Sequence, residues 1–389
     1  TLDYVVNNYT YLMSDQNSAD TQILVNDSSA FSANDYIMIW QVQNGTGQGN
    51  AGTYEFAKID SVSEHNLTLT AGLSNNYGSG TFNTSSSSVT QVVRVPQYTD
   101  LTVESGGSIV ADAWDGWKGG VVVFNSSSTV TVDGIINVTA RGFRGGMKVP
   151  SASDYQWGYA GERITGVNTG TRETTSVSFL MGGGAGKGAD GSGGGGAYGA
   201  NGVDGAKILG SSDYGRKGTV YGDANLANLY FGGGGGSAGS HSSARTGGPG
   251  GAGGGILLIT ANEIDVSGQV LVLGGKPATG IYASDSNSGA AGGGGAGGAI
   301  YLKASSITIT GEVNASYGEG GDKSPTAGKD GGNGSVGRVR MDFTTLTGAS
   351  VPVQVNGSFA GVNAALLTNS TGDYLFNLTF GAVSGTQTI

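Results

Sequence analysis

The chain has no cysteine. That excludes a disulfide framework and a thiolate metal site, so stability has to come from packing and hydrogen bonds. Histidine is nearly absent: only His65 and His241 occur, and no spacing relates them to each other or to a nucleophile. A Ser-His-Asp triad or a zinc site is not indicated. Charged residues make up 12% of the 389, and acidic ones prevail, with a formal net charge of −10. Gripping a nucleic-acid backbone takes clustered Lys and Arg, so this balance speaks against such a partner. The one RGG-like string, Arg141-Gly142-Phe143-Arg144-Gly145-Gly146, stands alone. Apolar runs are short, as in Ile256-Leu257-Leu258-Ile259, far below the roughly 18 residues of a membrane-spanning helix.

Other familiar site motifs are missing from the sequence as well. A phosphate loop at Gly186-Lys187 fails because Met181 and Gly188 occupy its defining positions. Asp190, Asp322 and Asp330 lie among glycines but do not form the nonapeptide of calcium-binding β-rolls. No pair of carboxylates stands out as an acid and base. The expectation is a protein that is not an enzyme and carries no cofactor, metal or catalytic residue.

What is present in excess is glycine, 76 residues against a usual share of about 7%. Asparagine in Asn-x-Ser/Thr sequons is the second excess, at Asn8, Asn26, Asn44, Asn66, Asn83, Asn125, Asn137, Asn314, Asn333, Asn356, Asn369 and Asn377. Such a density favours export through a glycosylating pathway, with covalent N-glycans on a secreted or cell-surface protein. Thr1 in place of Met fits a signal peptide removed before it.

Residues 1–98 are the part poorest in glycine. Their short β-like runs, such as Tyr36 to Val42 and Gln91 to Val95, are separated by Ser/Asn/Asp/Gly clusters at hairpin spacing. This predicts a small antiparallel sandwich or barrel. From residue 99 to 389 internal repeats take over. Val130 to Val138, Ile264 to Val272 and Ile307 to Ala315 obey one rule: apolar, x, apolar, x, Gly, x, apolar, x, small apolar. Period two marks a half-buried strand, and the central glycine a bend or a close approach between layers. Each unit follows a second apolar run, itself preceded by glycines, so a coil reads glycine tract, strand, turn, strand. Gly268 and Gly311 lie 43 residues apart, a length for one unit that must stack on neighbours to bury its apolar face. A long insertion, about 147–246, separates the first two units.

In this register Asn137 and Asn314 share one outward position, and Leu271, at the same place in the middle unit, is expected to be covered by the insertion or by another subunit. The glycine tracts are expected to be ordered as polyproline-II-like strands, because backbones without Cβ atoms can approach and bond laterally. The fold class that follows is all-β, a small β-sandwich or barrel leading into a glycine-rich β-solenoid with polyglycine tracts.

Several strings, among them Val93-Arg94-Val95-Pro96-Gln97-Tyr98, Ala113-Trp114-Asp115-Gly116, Tyr221-Gly222-Asp223-Ala224-Asn225-Leu226 and Gly293 to Leu302, resemble glycine-rich repeat proteins of cell surfaces. The resemblance covers about residues 30–345. It implies a cell-surface or extracellular place in large β-rich proteins and assigns no catalytic residues.

A stack of coils must be capped or paired at its ends. Instead of charged caps, the termini carry apolar strand-forming segments: Tyr4, Val5 and Val6, and Tyr374, Leu375, Phe376, Leu378 and Phe380. These are the expected assembly residues of a head-to-tail homopolymer, an extracellular filament or sheath. The alternative is a monomeric adhesin or carbohydrate-binding module in which Trp114 and Trp117 offer a platform for sugar rings, although such residues more often cap the end of a solenoid core.

Overall fold

The computed structural model describes residues 3–45, 50–79, 88–149, 157–165, 181–187, 191–206, 214–222, 225–240, 247–278, 290–322, 330–348, 355–356, 358–363 and 387–388, those from 355 on by backbone alone. Among them there is no helix. One antiparallel and three parallel sheets hold the strands, each sheet six-stranded.

The chain begins with β1 (Asp3–Val5), then builds the antiparallel sheet from β2 (Tyr9–Tyr11), β3 (Gln22–Leu24), β4 (Tyr36–Gln43), β5 (Tyr54–Ser63), β6 (Asn66–Leu69) and β7 (Val89–Val95). Its order is β2-β7-β4-β5-β6-β3. The two edges meet through a Leu12–Val25 bridge, with Met13 N donating to Leu24 O at 2.8 Å and Asn26 N to Tyr11 O at 3.0 Å. The sheet thus curls around an interior of Leu12, Ile23, Val25, Ile37, Ile39, Ile59, Leu67 and Val92. Alternation along β4 and β7 sends Met38, Trp40, Val93 and Val95 to the other side, into a second core shared with the rest of the molecule.

The parallel part winds over three faces. Face I holds β1, β10 (Ser108–Val110), β13 (Ile135–Asn137), β16 (Gln269–Leu271), β19 (Glu312–Asn314) and β22 (Val355–Asn356). Face II holds β8 (Gln97–Tyr98), β11 (Val121–Ser126), β14 (Ile256–Thr260), β17 (Ala299–Lys303), β20 (Arg338–Phe343) and β23 (Ser358–Asn363). Face III holds β9 (Leu101–Val103), β12 (Thr129–Val132), β15 (Glu263–Val266), β18 (Ser306–Ile309), β21 (Thr345–Thr347) and β24 (Gln387–Thr388). Each coil therefore has three strands, where the sequence suggests two. The nine-residue unit, expected to be one strand with a bend, is split at its glycine between faces III and I. The corner is tight: Gln269 N donates to Gly134 O and Glu312 N to Gly268 O, both at 2.9 Å. A Cβ on Gly268 or Gly311 would lie on the carbonyl oxygen of the glycine in the preceding coil.

Inward residues repeat in columns. Val122, Leu257, Ile300 and Val339 are register partners on face II, as are Phe124, Ile259, Leu302 and Met341. With Val130, Ile264, Ile307, Ile136, Val270 and Val313 they form one closed core. Complete burial of each such aliphatic side chain is worth about 1.5–3 kcal/mol. The first face-I strand comes from residues 3–5, ahead of the rest of the parallel part in the chain.

Between face I and face II the chain makes its glycine-rich excursions. Within Gly232 to Gly239 the amide N–H groups turn to three neighbours in rotation. Gly232, Gly235 and Ala238 donate to Gly254, Gly251 and Gly248; Gly233, Gly236 and Gly239 to Ala197, Gly194 and Gly191; Gly234 and Ser237 to Glu162 and Tyr159. Three residues per turn is the polyproline-II repeat. Gly293 to Gly298 does likewise, its donors reaching Gly236, Gly332, Gly275, Gly233, Ser335 and Val272 in turn. The peptide N–H groups of these two tracts are thus satisfied by neighbouring tracts, most of them running antiparallel, instead of by a sheet ladder.

Candidate functional site

Two places carry the sequence-derived candidates: the ends of the stack and its glycosylation flank. At the N-terminal end β1 pairs with β10 and β24 with β9, both parallel. Tyr4 and Val5 are partly exposed, at 46% and 37%, whereas Val6 is buried in the inner core. The segment expected to complete a neighbour's sheet therefore first completes its own, and Val6 is a core residue. Tyr374, Leu375, Phe376, Leu378 and Phe380 lie outside the described residues.

Face II is finished differently at this end, because β8 spans only two residues of the longer β11. The exposed edge of β11 is closed by side chains. Asn7 donates from Nδ2 to Val123 O at 2.6 Å and accepts Val123 N on Oδ1 at 3.1 Å. The Tyr9 hydroxyl donates to Val121 O at 2.7 Å. Burial, reinforced by Asp112, pushes the Tyr9 phenol far above its usual range, so it stays a donor. The opposite end terminates in β21, β22 and β23.

On the flank, Asn137, Leu271, Asn314 and Asn356 are successive register partners on face I. Asn137 and Asn314 are half-buried and make the same turn: each Oδ1 accepts the N–H two residues on, from Thr139 at 2.9 Å and Ser316 at 2.8 Å. Leu271 is likewise half-buried. Among the other sequons, Asn8 and Asn26 are exposed, and Asn44, Asn66 and Asn333 half-buried. Asn125 is buried in β11, its Nδ2 donating to Gln97 Oε1 at 3.3 Å. Asn83, Asn369 and Asn377 lie outside the described residues.

The aromatic platform does not form. Trp114 is buried, its ring 5.4 Å from that of Phe231, which Trp40 meets edge-on at 4.8 Å. Trp117 stacks on Tyr11 at 4.9 Å, so one face of its ring is already taken. A different aromatic cleft, of about 350 Å³, opens on the antiparallel sheet, lined by Tyr36, Phe56, Lys58 and Leu73 among others. The Glu55 carboxylate at its rim accepts the N–H groups of Ser74 at 2.8 Å and Asn75 at 3.1 Å.

Two ionic clusters fasten the layers. Glu162 is fully buried; Arg144 donates to Oε2 from Nε at 3.0 Å and to Oε1 from Nη2 at 2.9 Å, and Gln43 of β4 donates to Oε1 at 3.2 Å. On the outer side of face II, Asp342 accepts the Tyr301 hydroxyl at 2.5 Å and both Nε and Nη2 of Arg340 at 2.8 Å. These carboxylates are saturated by their partners, the arrangement of a structural tie. Among the described residues no group of three or more His, Asp or Glu could hold a metal ion, and no helix is long and apolar enough to cross a membrane.

No family model and no curated protein matches the sequence. Solved structures similar to it include the tailspike protein gp49 from Pseudomonas phage LKA1, 17% identical over 34% of this chain and 22% of that one, with a TM-score of 0.19. The Gp54 tailspike of Acinetobacter baumannii bacteriophage AP22, solved with a capsular saccharide, is 10% identical over 89% of this chain and 57% of that one, with a TM-score of 0.19. The Pseudomonas phage phi297 tailspike gp61 is 9% identical over 91% and 49%, with a TM-score of 0.18. This chain spans less than two thirds of each, and TM-scores this low carry no argument about its role.

Proposed function

We propose that the chain is a structural subunit of a secreted, N-glycosylated extracellular filament or sheath that grows by end-to-end contact of its β-solenoid. The observation that carries this reading is the pair of open ends. Among the described residues, all three parallel sheets stop at strands with an unpaired edge and no helix covers either end. Unpaired parallel edges are templates for another chain. The flank differs: the Asn137 and Asn314 sequons would carry sugars there, hindering lateral association and leaving the ends free. The polyglycine bundle and the curled antiparallel sheet stiffen the subunit against bending in this reading. Electron microscopy of the native material is the test. Filaments whose subunit repeat matches one solenoid are expected; isolated particles at high concentration would overturn the reading.

A second reading, a carbohydrate-binding surface module, is favoured by the Tyr36–Phe56 cleft and no longer by Trp114. A glycan array should then show binding that Tyr36→Ala removes, in particles that stay single.

A further inference from the structure

Each parallel face has six strands, yet the sixth does not lie at the same end on all three. Five layers are common to the faces, from β8, β9 and β10 up to β20, β21 and β22. On face II the extra strand, β23, lies beyond the last layer. On faces I and III the extra strands, β1 and β24, lie before the first. Every coil winds from face II to face III to face I. Taken in that order, β23, β24 and β1 amount to one coil, divided between the two ends of the molecule.

We propose that this divided coil is made whole between two copies of the chain: β23 and β24 of one copy and β1 of the next form a shared layer, with β24 paired to β9 of the next copy. The proposal rests on the filament reading and specifies its joint. Its first support is the match of steps. Among the described residues, one end protrudes by a strand on face II and falls short on faces I and III. At the other end faces I and III protrude, while face II stops at the short β8 and the side chains of Asn7 and Tyr9. Two such ends close on each other without a missing layer, at the usual strand spacing of about 4.8 Å.

The second support is polarity. All pairings on the three faces are parallel, β1–β10, β20–β23 and β9–β24 included. Copies stacked with one polarity keep every strand parallel across the joint, whereas a two-fold joint would set strands antiparallel. The contact is heterologous and therefore propagates. The third is the path of the chain. On its own β9, β24 lies six layers from β23, about 29 Å away at that spacing. On the next copy's β9 it occupies the same layer as β23, on the face that follows in the winding order.

The absence of native cysteine gives a clean test. Thr102 and Thr388 are register partners, so chains carrying T102C are mixed with chains carrying T388C before assembly and then oxidised. Covalent dimers are expected, and the double variant should give a ladder of oligomers on a non-reducing gel. Asp3 and Ser108 are partners within one chain in either arrangement, so D3C/S108C should lock as a monomer. A T102C/T388C chain that locks as a monomer inside visible filaments overturns the joint and leaves the filament reading standing. The same monomer with no filaments overturns both. Because a threonine replacement can disturb folding, a chain ended after Asn363 is the second variant. It keeps β23 and lacks β24, and should stay a folded monomer with an unchanged Tm; undiminished polymerisation by it overturns the joint.

Discussion

Asn7 and Val123 lie 116 residues apart and form a reciprocal pair, the side-chain amide of one taking both backbone groups of the other. Asn7 Nδ2 also donates to Arg94 O at 2.9 Å. One buried amide thus imitates a strand along β11 and ties the solenoid to β7. Asn7→Ala should leave the Val123 N–H and C=O without these partners and destabilise the fold by about 2–4 kcal/mol, the penalty for orphaned buried groups. Asn7→Asp keeps the acceptor but sets a buried carboxylate oxygen against the carbonyl oxygens of Val123 and Arg94, so at neutral pH it should destabilise at least as much as Asn7→Ala. Chemical denaturation of the three proteins checks the order.

The glycines differ in what they protect. A Cβ on Gly235 would land on the carbonyl oxygen of Gly293, in the middle of the bundle, where the obstacle is backbone and cannot step aside. Gly106 has open space around it, and its constraint is a φ of +89°. Gly106→Ala should therefore cost roughly 1–2 kcal/mol for the left-handed backbone alone. Gly235→Ala should cost more than about 4 kcal/mol, the range of overpacked cores and broken networks. Equal effects in thermal unfolding would mean that the bundle is not close-packed in solution.

How far the sequence foretold this can be traced in single positions. The nine-residue rule marks Val130, Val132, Ile136 and Val138 as inward, and all four are in the core; it also sets Asn137 beside Leu271 and Asn314. The same rule hides the corner at Gly134, because the alternation runs through it unbroken: Val132, Gly134 and Ile136 are all buried while the chain changes sheet. Periodicity reports which side faces in, and a corner leaves that unchanged. What covers Trp114 is illegible for another reason. Its cover, Phe231, lies in a distant glycine-rich segment, and nothing local announces such a contact. The role of Asn7 and the placing of β24 on β9 are long-range in the same sense.

Stability should fall in alkali. Burial, the main cause for each, raises the phenols of Tyr9, Tyr77 and Tyr301 well beyond their usual 10.0, and that of Tyr98 to about 12. A raised folded-state pKa means that the neutral phenol is favoured by the fold. That contribution is complete below the unfolded value near 10 and is lost as pH rises from there, through about 12 for Tyr98. The midpoint of thermal unfolding should hold steady up to about pH 9.5 and then decline. Phenolate absorbance should show these groups ionising only with unfolding. A midpoint that stays flat to about pH 12 would contradict the buried, protonated state of these side chains.

The flank and the core should part in glycopeptide mass spectrometry. An N-glycan is added to the side-chain nitrogen and needs room outside the fold. Asn8 and Asn26 have that room. Asn137 and Asn314 stand on the outer side of face I, with Oδ1 held by the following turn. Asn125 is buried in β11, against Gln97. A glycan there would have to displace packed backbone. Occupancy is therefore expected at Asn8, Asn26, Asn137 and Asn314 and not at Asn125. On face I, Asn314 and Asn356 are direct register partners, with strands about 4.8 Å apart. Two glycan cores cannot be seated side by side at that distance, so the two sites should be occupied in alternation. Removing one by Asn314→Gln should raise occupancy at the other; full occupancy of both at once would show that the column is wider than its backbone register allows.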